Sequence, residues 1–475
     1  MSVVGFWGVK ARLLVMVVAC AAMPCGAALA DTLEGSLAYA YQNNPQLNAQ
    51  RALVRATDEN VAQALSGYRP RITANGSVGI QSLSSTIQNV GSTIPPNAPA
   101  TYFTQSGENA PYGGGATITQ TLYNGFQTAN KTRQAESQVL AARENLRTME
   151  QTVLLNAATA YMNLLRDTAI LELQRRNVQV LEDELSQTRQ RLEAGSVTAT
   201  DVFQAESRLA AGRIQLFSAE ANYDTSRAVY RQVIGLEPGK LSAAAPVDRF
   251  IPNSLQTAVG IGTAQHPTVV AAQYSVDVAT QQVKVAESAL SPTVSLQGNV
   301  QQNNSTALAT MQSFSASVLG QVTVPIYQGG SEYSLIRQAK ETQSQQRLNL
   351  DFARDQARVG VLQFWAATES AKRSVVAATQ QVKDTESALN GVSEEARLGQ
   401  RTTLDVLNAQ QELVSARSNL IAAQRDRVVN SYSLLASIGR LSPQVLGLNV
   451  QTYDTQVHYQ QVRDAWFGVR TPDGR

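Results

Sequence analysis

The chain has 475 residues, of which 43% are hydrophobic, 16% are charged and 6% are aromatic. The charged fraction lies below the roughly 25% of an average soluble domain. The chain has 39 Lys and Arg against 37 Asp and Glu, which gives a net charge of +2. It therefore lacks the excess of positive charge that is typical of proteins that bind nucleic acid. Two His and two Cys leave little for a metal site or a thiol nucleophile. We therefore predict no enzyme activity, no cofactor and no bound metal.

The N-terminus has the pattern of an export signal. Lys10 and Arg12 precede an apolar run and a small-residue cleavage site, which predicts a signal peptide over 1–30. A lipoprotein site with Cys20 acylated is the alternative interpretation. Beyond residue 30 no apolar stretch is long enough for a spanning helix, so any membrane segment must be built from strands.

The sequence repeats itself once along its length. Residues of an opening segment recur 222 positions later, and residues of a longer following segment recur 204 positions later. The matched positions include Leu33, Pro45, Pro70 and Gly76 with Leu255, Pro267, Pro292 and Gly298, then Gly195, Asp201 and Gly235 with Gly399, Asp405 and Gly439. The repetition predicts two structural repeats, 31–236 and 252–440, joined by a linker at 237–251 and followed by a C-terminal tail at 441–475.

Each repeat is predicted to hold an opening helix, two strands, a long helix and a return helix. Pro70 and Pro292 end the opening helices, because proline lacks the N–H that a helix needs. The stretch 82–115 is rich in Ser, Asn, Pro and Gly and is predicted to be a loop. In the first repeat, helices are predicted at 33–66 and 128–193, with a return helix that ends at 234 and strands at 70–82 and 112–123. In the second repeat, helices are predicted at 255–289 and 334–398, with a return helix that ends at 438 and strands at 292–302 and 313–327. Hairpin turns are predicted near Gly195 and Gly399.

Apolar and uncharged polar residues alternate along the predicted strands. Ile72 and Val78 fall on one face, whereas Thr73 and Asn75 fall on the other. Such runs are typical of membrane-spanning barrel strands, with lipid outside and water inside. A soluble antiparallel sheet with one buried face gives the same alternation, so the strands alone leave both interpretations open. The aromatic residues that stand where strands stop, as an aromatic girdle would, are Tyr68, Tyr123, Phe126 and Tyr327.

The long helices have the pattern of a coiled coil. Apolar residues recur every seventh position at Leu164, Leu171, Val178 and Leu185, and the second repeat keeps the same phase. A helix over 128–193 spans about 100 Å, which matches the opening and return helices stacked end to end. The fold predicted for each chain is therefore a mixture of membrane strands and long coiled-coil helices.

The number of strands decides the smallest assembly that encloses a pore. Each chain supplies four predicted strands, and lipid tolerates no open sheet edge. Two chains would supply eight strands, a number whose interior is filled by side chains. Three chains supply twelve strands and leave the water-filled bore that the polar strand faces require. The sequence therefore predicts a homotrimer.

Several motifs resemble those of the TolC family of outer-membrane channel proteins, over essentially the whole mature chain. They are the Asn44-Pro45 opening, the strand-ending Leu122-Tyr123-Asn124-Gly125 and Ile326-Tyr327-Gln328-Gly329, the segment 399–409, and a tail at 453–468 similar to that of members paired with type I secretion systems. The resemblance implies a homotrimer with a 12-stranded barrel in outer-membrane lipid and a 12-helix tunnel through the periplasm, with the C-terminal tail also periplasmic. It further implies a passive exit duct for secreted proteins, drugs or small molecules. The implied partners are a periplasmic adaptor and an inner-membrane transporter of the ATP-driven ABC or proton-driven RND type.

The resemblance also implies a gate at the periplasmic ends of the helices. Family members hold the tunnel closed there by hydrogen bonds and ion pairs between helix hairpins and between protomers. By motif position the gate residues are Thr200, Asp201, Arg401, Asp405 and Asn408. Ala396 stands where a Tyr is common, and Asn408 stands where a second Asp is common. These departures put the strength and the cation selectivity of the gate in doubt. The alternative is that Thr200, Asp201, Thr403 and Asp405 only cap the helices that follow the turns.

A second function class is consistent with part of the sequence. A periplasmic coiled-coil adaptor or scaffold that is not itself a pore would account for the heptads and the leader. It would not account for four alternating strands at duplicated positions. The residues therefore favour the channel over the scaffold.

Overall fold

The structure is a computed structural model that describes residues 32–88, 99, 101–305, 311–472 and 474. The predicted signal peptide and Cys20 lie outside these residues. The fold is mostly helical. No helix among the described residues is long and apolar enough to cross a membrane.

Two long helices, several shorter helices and six strands make up the described chain. The helices are α1 (Leu33–Asn43), α2 (Pro45–Leu65), α3 (Gln127–Glu193), α4 (Ala199–Ile234), α5 (Leu255–Gln265), α6 (Pro267–Glu287), α7 (Ser331–Arg397), α8 (Thr403–Ser437), α9 (Pro443–Leu446) and α10 (Thr455–Val462). The strands are β1 (Arg71–Val78), β2 (Gln81–Gln88), β3 (Tyr102–Asn109), β4 (Tyr112–Asn124), β5 (Thr293–Ser305) and β6 (Met311–Thr323).

Each opening helix is broken in two, where the sequence predicted one continuous helix. Asn44 ends α1 and starts α2, and its side-chain oxygen accepts hydrogen bonds from the backbone N–H groups of Gln46 at 2.9 Å and Leu47 at 3.3 Å. The residue before a proline avoids the helical conformation, and Asn44 accordingly has ψ 124°. His266 plays the same part before Pro267, so the prediction of a single helix is wrong at both places.

Four strands form one antiparallel sheet in the order β1-β4-β5-β6. The register brings apolar and small residues together in rows on one face and polar residues together on the other. One apolar row is Ile72, Ile118, Gly298 and Val318, and the adjacent polar row is Thr73, Thr117, Asn299 and Ser317. Thr117 Oγ1 donates to Asn299 Oδ1 at 3.1 Å within that polar row. The alternation read from the sequence therefore has a structural counterpart in the sheet.

The stretch 82–115, predicted as a loop, holds a second pair of strands. β2 and β3 pair in antiparallel register, and the hydroxyl groups of Thr86 and Thr104 lie 2.9 Å apart across them. The loop prediction is wrong because Ser and Thr at alternate positions also suit an exposed two-stranded ribbon. The last predicted strand also ends early, at Thr323 instead of 327, since Pro325 lacks the N–H needed for a ladder bond.

The helices lie side by side in a single layer, and the chain passes from this layer into the sheet. α3 pairs with α4 and α7 pairs with α8 as two hairpins, and α3 also contacts α8. Nearer the sheet, α2, α3, α6 and α7 follow one another in the same way. One edge of the layer is therefore formed by α2 and α4, and the other by α7. Each 67-residue helix, α3 and α7, spans about 100 Å.

The main hydrophobic core lies midway along the helices, where the ends of several elements meet. Leu37, Tyr161, Tyr230 and Leu435 are buried there. The predicted linker packs onto this core, because Tyr161 Oη donates to the carbonyl oxygen of Ser242 at 2.7 Å. The linker is thus part of the packed structure.

The C-terminal tail returns to the first opening helix. α10 packs against α2, where His458 Nδ1 lies 3.0 Å from Asp58 Oδ2 and both side chains are buried. Burial raises the pKa of Asp58 above its ordinary value. This pair joins residues 400 positions apart and fixes the tail beside the sheet end of α2.

Candidate functional site

The candidate site is the far end of the two helix hairpins, called here the first tip (residues 195–201) and the second tip (residues 399–405). Gly195 has φ +72° and Gly399 has φ +79°. Both glycines therefore take the left-handed conformation that ends a helix and that residues with a Cβ adopt only under strain. The two turns reverse the chain so that α4 and α8 run back along α3 and α7.

Both return helices begin with the same reciprocal cap. Thr198 accepts a bond from the backbone N–H of Asp201, whose carboxylate accepts from the Thr198 backbone N–H at 2.8 Å and from its hydroxyl at 2.7 Å. Thr402 and Asp405 repeat this arrangement at 3.0 and 2.8 Å. The capping interpretation therefore applies to both aspartates, but the N-cap residues are Thr198 and Thr402 rather than Thr200 and Thr403.

The caps give the tips a pH dependence. Hydrogen bonds from Thr198 lower the pKa of Asp201, and hydrogen bonds from Thr402 lower the pKa of Asp405. A carboxyl with a lowered folded-state pKa stabilises the fold above the pKa that it has in the unfolded chain. This stabilisation is lost as the pH falls through the lowered folded-state value, so the caps are intact at neutral pH and weaken in acid.

Replacing Thr198 by Ala is expected to loosen the start of α4. Loss of such a cap costs about 0.5–2 kcal/mol, so amide exchange at residues 201–203 should accelerate by about 2- to 30-fold at neutral pH. Hydrogen exchange read by mass spectrometry measures this, with Thr200→Ala as the control because Thr200 lies inside the first turn and not at the cap. In acid, below the lowered pKa of Asp201, the difference between wild type and Thr198→Ala should narrow, because protonation weakens the bonds from Thr198 to the carboxylate whereas the Thr198 oxygen still accepts from the Asp201 backbone N–H. Equal exchange of the two proteins at neutral pH would refute the cap.

Arg401 is held within its own turn. Its Nε donates to Glu395 Oε2 at 2.9 Å, and this bond raises the pKa of the guanidinium. Among the described contacts of one protomer, Arg401 makes no hydrogen bond to Thr200 or Asp201. Ala396 has no polar side-chain atom to offer Arg401, and Arg401 bonds instead to the neighbouring Glu395.

Near the tips, the two hairpins of the chain are joined by a different pair. Arg208 Nη2 on α4 donates to Asn408 Oδ1 on α8 at 2.7 Å, across 200 residues of sequence. Leu407 is buried beside this bond in the apolar cluster of the first hairpin, which contains Val178, Leu181, Leu185, Val202, Ala205 and Leu209. The sequence analysis missed Arg208. Its position one heptad after Asp201, on the same helix face, was the available signal.

The aromatic residues predicted to end the strands lie at one end of the sheet, where it joins the helices. Tyr68 precedes β1, Tyr123 lies near the end of β4, Phe126 precedes α3 and Tyr327 follows β6. All four are exposed in the single chain. Tyr123 and Phe126 contact edge to face, with ring centroids 5.7 Å apart.

Comparison with known proteins decides the family. The model of the family described as outer membrane efflux protein matches residues 37–236 and 263–440. The chain belongs to this family. It is 41% identical over 450 residues to the outer membrane efflux protein BepC of Brucella suis, covering 94% of each chain. It is 28% identical over 347 residues to the outer membrane protein TolC of Vibrio cholerae, covering 70% of this chain and 77% of that protein.

A solved structure supports the fold. The Campylobacter jejuni CmeC outer membrane channel superposes with a TM-score of 0.73 at 15% identity, covering 91% of this chain and 89% of that one. As a member of the efflux family, the chain is an outer-membrane exit duct with a helical extension in the periplasm. The comparisons give no support to a scaffold that is not a pore.

Proposed function

We propose that three copies of this efflux-family chain form one pore through the outer membrane and the periplasm. Two unpaired edges of one four-stranded sheet carry this proposal. Among the described strands, β1 and β6 each have a neighbour on one side only, and they run in opposite directions. The free edge of β6 can therefore pair in antiparallel fashion with β1 of the next copy, and three copies close a 12-stranded barrel without an open edge.

The helices support the same closure. α4, at one edge of the helical layer, exposes the apolar stripe Phe203, Ile214 and Phe217. α7, at the other edge, exposes a matching stripe that runs through Phe352, Val359, Leu362 and Val376. Monomeric soluble proteins rarely leave such long stripes in water. In the proposed trimer, α2 and α4 of one copy pack against α7 of the next and complete a 12-helix tunnel.

Repetition of contacts supports two copies of one structural unit in each chain. Arg213 pairs with Glu182 at 2.8 Å in the first hairpin, and Arg417 pairs with Glu386 at 2.7 Å at the equivalent place in the second. The caps at Asp201 and Asp405 are equivalent in the same way. We retain 31–236 and 252–440 as the proposed repeats, with 237–251 between them.

We further propose that the tips form the gate of the tunnel. Within each protomer the Arg208–Asn408 bond joins the two hairpins, and in the trimer Arg401 and Asp405 face Thr200 and Asp201 of a neighbouring copy. These contacts lie at exposed positions and are individually weak, so a partner that binds the tips can break them. The proposed partners are a periplasmic adaptor and an inner-membrane transporter of the ABC or RND type. The transporter supplies the free energy, and the pore itself is passive.

The cargo proposed for this duct is secreted protein, drugs or other small molecules. The tail motif at 453–468 favours type I secretion, and membership of the efflux family favours small molecules. Tyr68, Tyr123, Phe126 and Tyr327 are proposed to form the aromatic girdle at the periplasmic border of the lipid. A deletion strain scored for drug sensitivity and for secreted protein separates the two kinds of cargo.

Disulfide cross-linking between sheet edges tests the trimer. Both natural cysteines lie in the predicted leader, so no native cysteine of the mature chain can form disulfides that compete with the engineered ones. Asn75→Cys in β1, combined in turn with cysteine at Ser313, Ser315 or Ser317 in β6, should link separate chains into a covalent trimer at one register. Thr117→Cys with Asn299→Cys is the control, because these neighbours should link within one chain. Control bonds without any chain-to-chain bond would refute the closure.

A further inference from the structure

Two aromatic side chains near the end of the tail are exposed to solvent. Trp466 is 60% exposed and Phe467 is 94% exposed, and their ring centroids lie 6.4 Å apart. Val469, which follows, is fully exposed. Side chains of this size and polarity are rarely left in water without a partner.

The tail is fixed at the end of the sheet that meets the helices. Arg69 Nη1 donates to the carbonyl oxygen of Ala465 at 2.6 Å, and its guanidinium carbon lies 4.7 Å from the centroid of the Trp466 ring. Arg69 stands two residues before the start of β1. Trp466 is therefore level with the first apolar residue of the sheet, Ile72, whose side chain is also exposed.

The two segments that carry and hold the aromatic pair have mainly positive charge in their sequence. The described residues 69–71 and 463–472 hold four arginines and one acid, namely Arg69, Arg71, Arg463, Arg470 and Asp464. Aromatic rings beside arginines are the combination found at membrane–water interfaces, where rings lie at headgroup depth and guanidinium groups meet phosphates.

We propose that residues 465–469 rest on the periplasmic leaflet of the outer membrane, with Trp466 and Phe467 in its interfacial layer and the arginines against phospholipid phosphates. This inference rests on the proposed barrel, which places the end of the sheet at the lipid border. The tail is then a membrane contact that each subunit adds outside its strands, and the Arg69 contacts hold it at the right depth.

Tryptophan fluorescence gives a direct test. The chain has three tryptophans, Trp7, Trp365 and Trp466. Trp365 lies in α7, about 50 Å along the helix from its sheet end, so it serves as an internal control. The full-length protein is reconstituted into vesicles of phosphatidylcholine and phosphatidylglycerol whose acyl chains carry bromine either near the headgroup or near the chain end.

In a protein with Trp7→Phe and Trp365→Phe, bromine near the headgroup should quench most of the Trp466 emission, and bromine near the chain end should quench less. In the matched protein with Trp7→Phe and Trp466→Phe, the emission of Trp365 should not change with either lipid. Protein that floats with the vesicles while Trp466 stays unquenched would overturn the tail proposal and leave the pore intact. Protein that fails to float with the vesicles would overturn both.

Discussion

Replacing Ile214 and Phe217 together by Glu is expected to convert the proposed trimer into monomers. These side chains are 62% and 64% exposed in the single chain and lie on the α4 stripe that is proposed to face α7 of the next copy. Burial of a large apolar side chain stabilises by about 1.5–3 kcal/mol, so each interface would lose about 3–6 kcal/mol. Two carboxylates without partners in an apolar interface add a further desolvation cost.

Light scattering on detergent-solubilised protein measures the outcome. Gln215→Glu is the matched control, because Gln215 lies between these residues in sequence but points away from the stripe, on the same exposed helix. The control should remain trimeric, whereas the double variant should have the mass of one chain. A double variant that stays trimeric would show that α4 does not form the subunit interface.

Replacing Arg208 by Ala is expected to make the pore open more often. The Arg208–Asn408 bond at 2.7 Å is a polar link between the two hairpins near the tips, and three copies would act together in the proposed trimer. An exposed bond of this kind contributes about 0.5–1 kcal/mol, so three bonds hold the closed state by about 1.5–3 kcal/mol. The ratio of open to closed time should rise by about 10- to 150-fold.

Single-channel recording in planar bilayers checks this. Arg213→Ala is the control, because it breaks an ion pair of similar length and exposure, Arg213 with Glu182, that stays within the first hairpin. Asn408→Asp should act in the opposite direction, since a carboxylate opposite Arg208 strengthens the link. An Arg208→Ala channel that gates like wild type would remove Arg208 from the gate and leave that role to contacts between protomers.

Much of the fold could be predicted because local chemistry determines it. Gly195 and Gly399 mark turns that need a left-handed residue, and the regular heptads mark the long helices between the strands and those turns. The alternation of apolar and polar residues fixes the faces of the sheet, because one step of register would exchange them. These signals lie within a few residues of the feature that they predict.

Features that depend on distant contacts could not be read in this way. The Arg208–Asn408 bond depends on how two helices are rotated against each other, and the His458–Asp58 pair joins positions 400 apart. The β2–β3 ribbon was missed because its residues have the composition of a loop. The break at Asn44 has a visible signal in Pro45, but the apolar periodicity continues on either side of it and favours one unbroken helix.

The number of chains in the detergent-solubilised wild-type protein, measured by native mass spectrometry, is the most direct test of a pore built from shared sheet edges. Three chains are expected, in a complex that needs detergent to remain in solution. A single chain that stays dissolved after the detergent is removed would contradict the account.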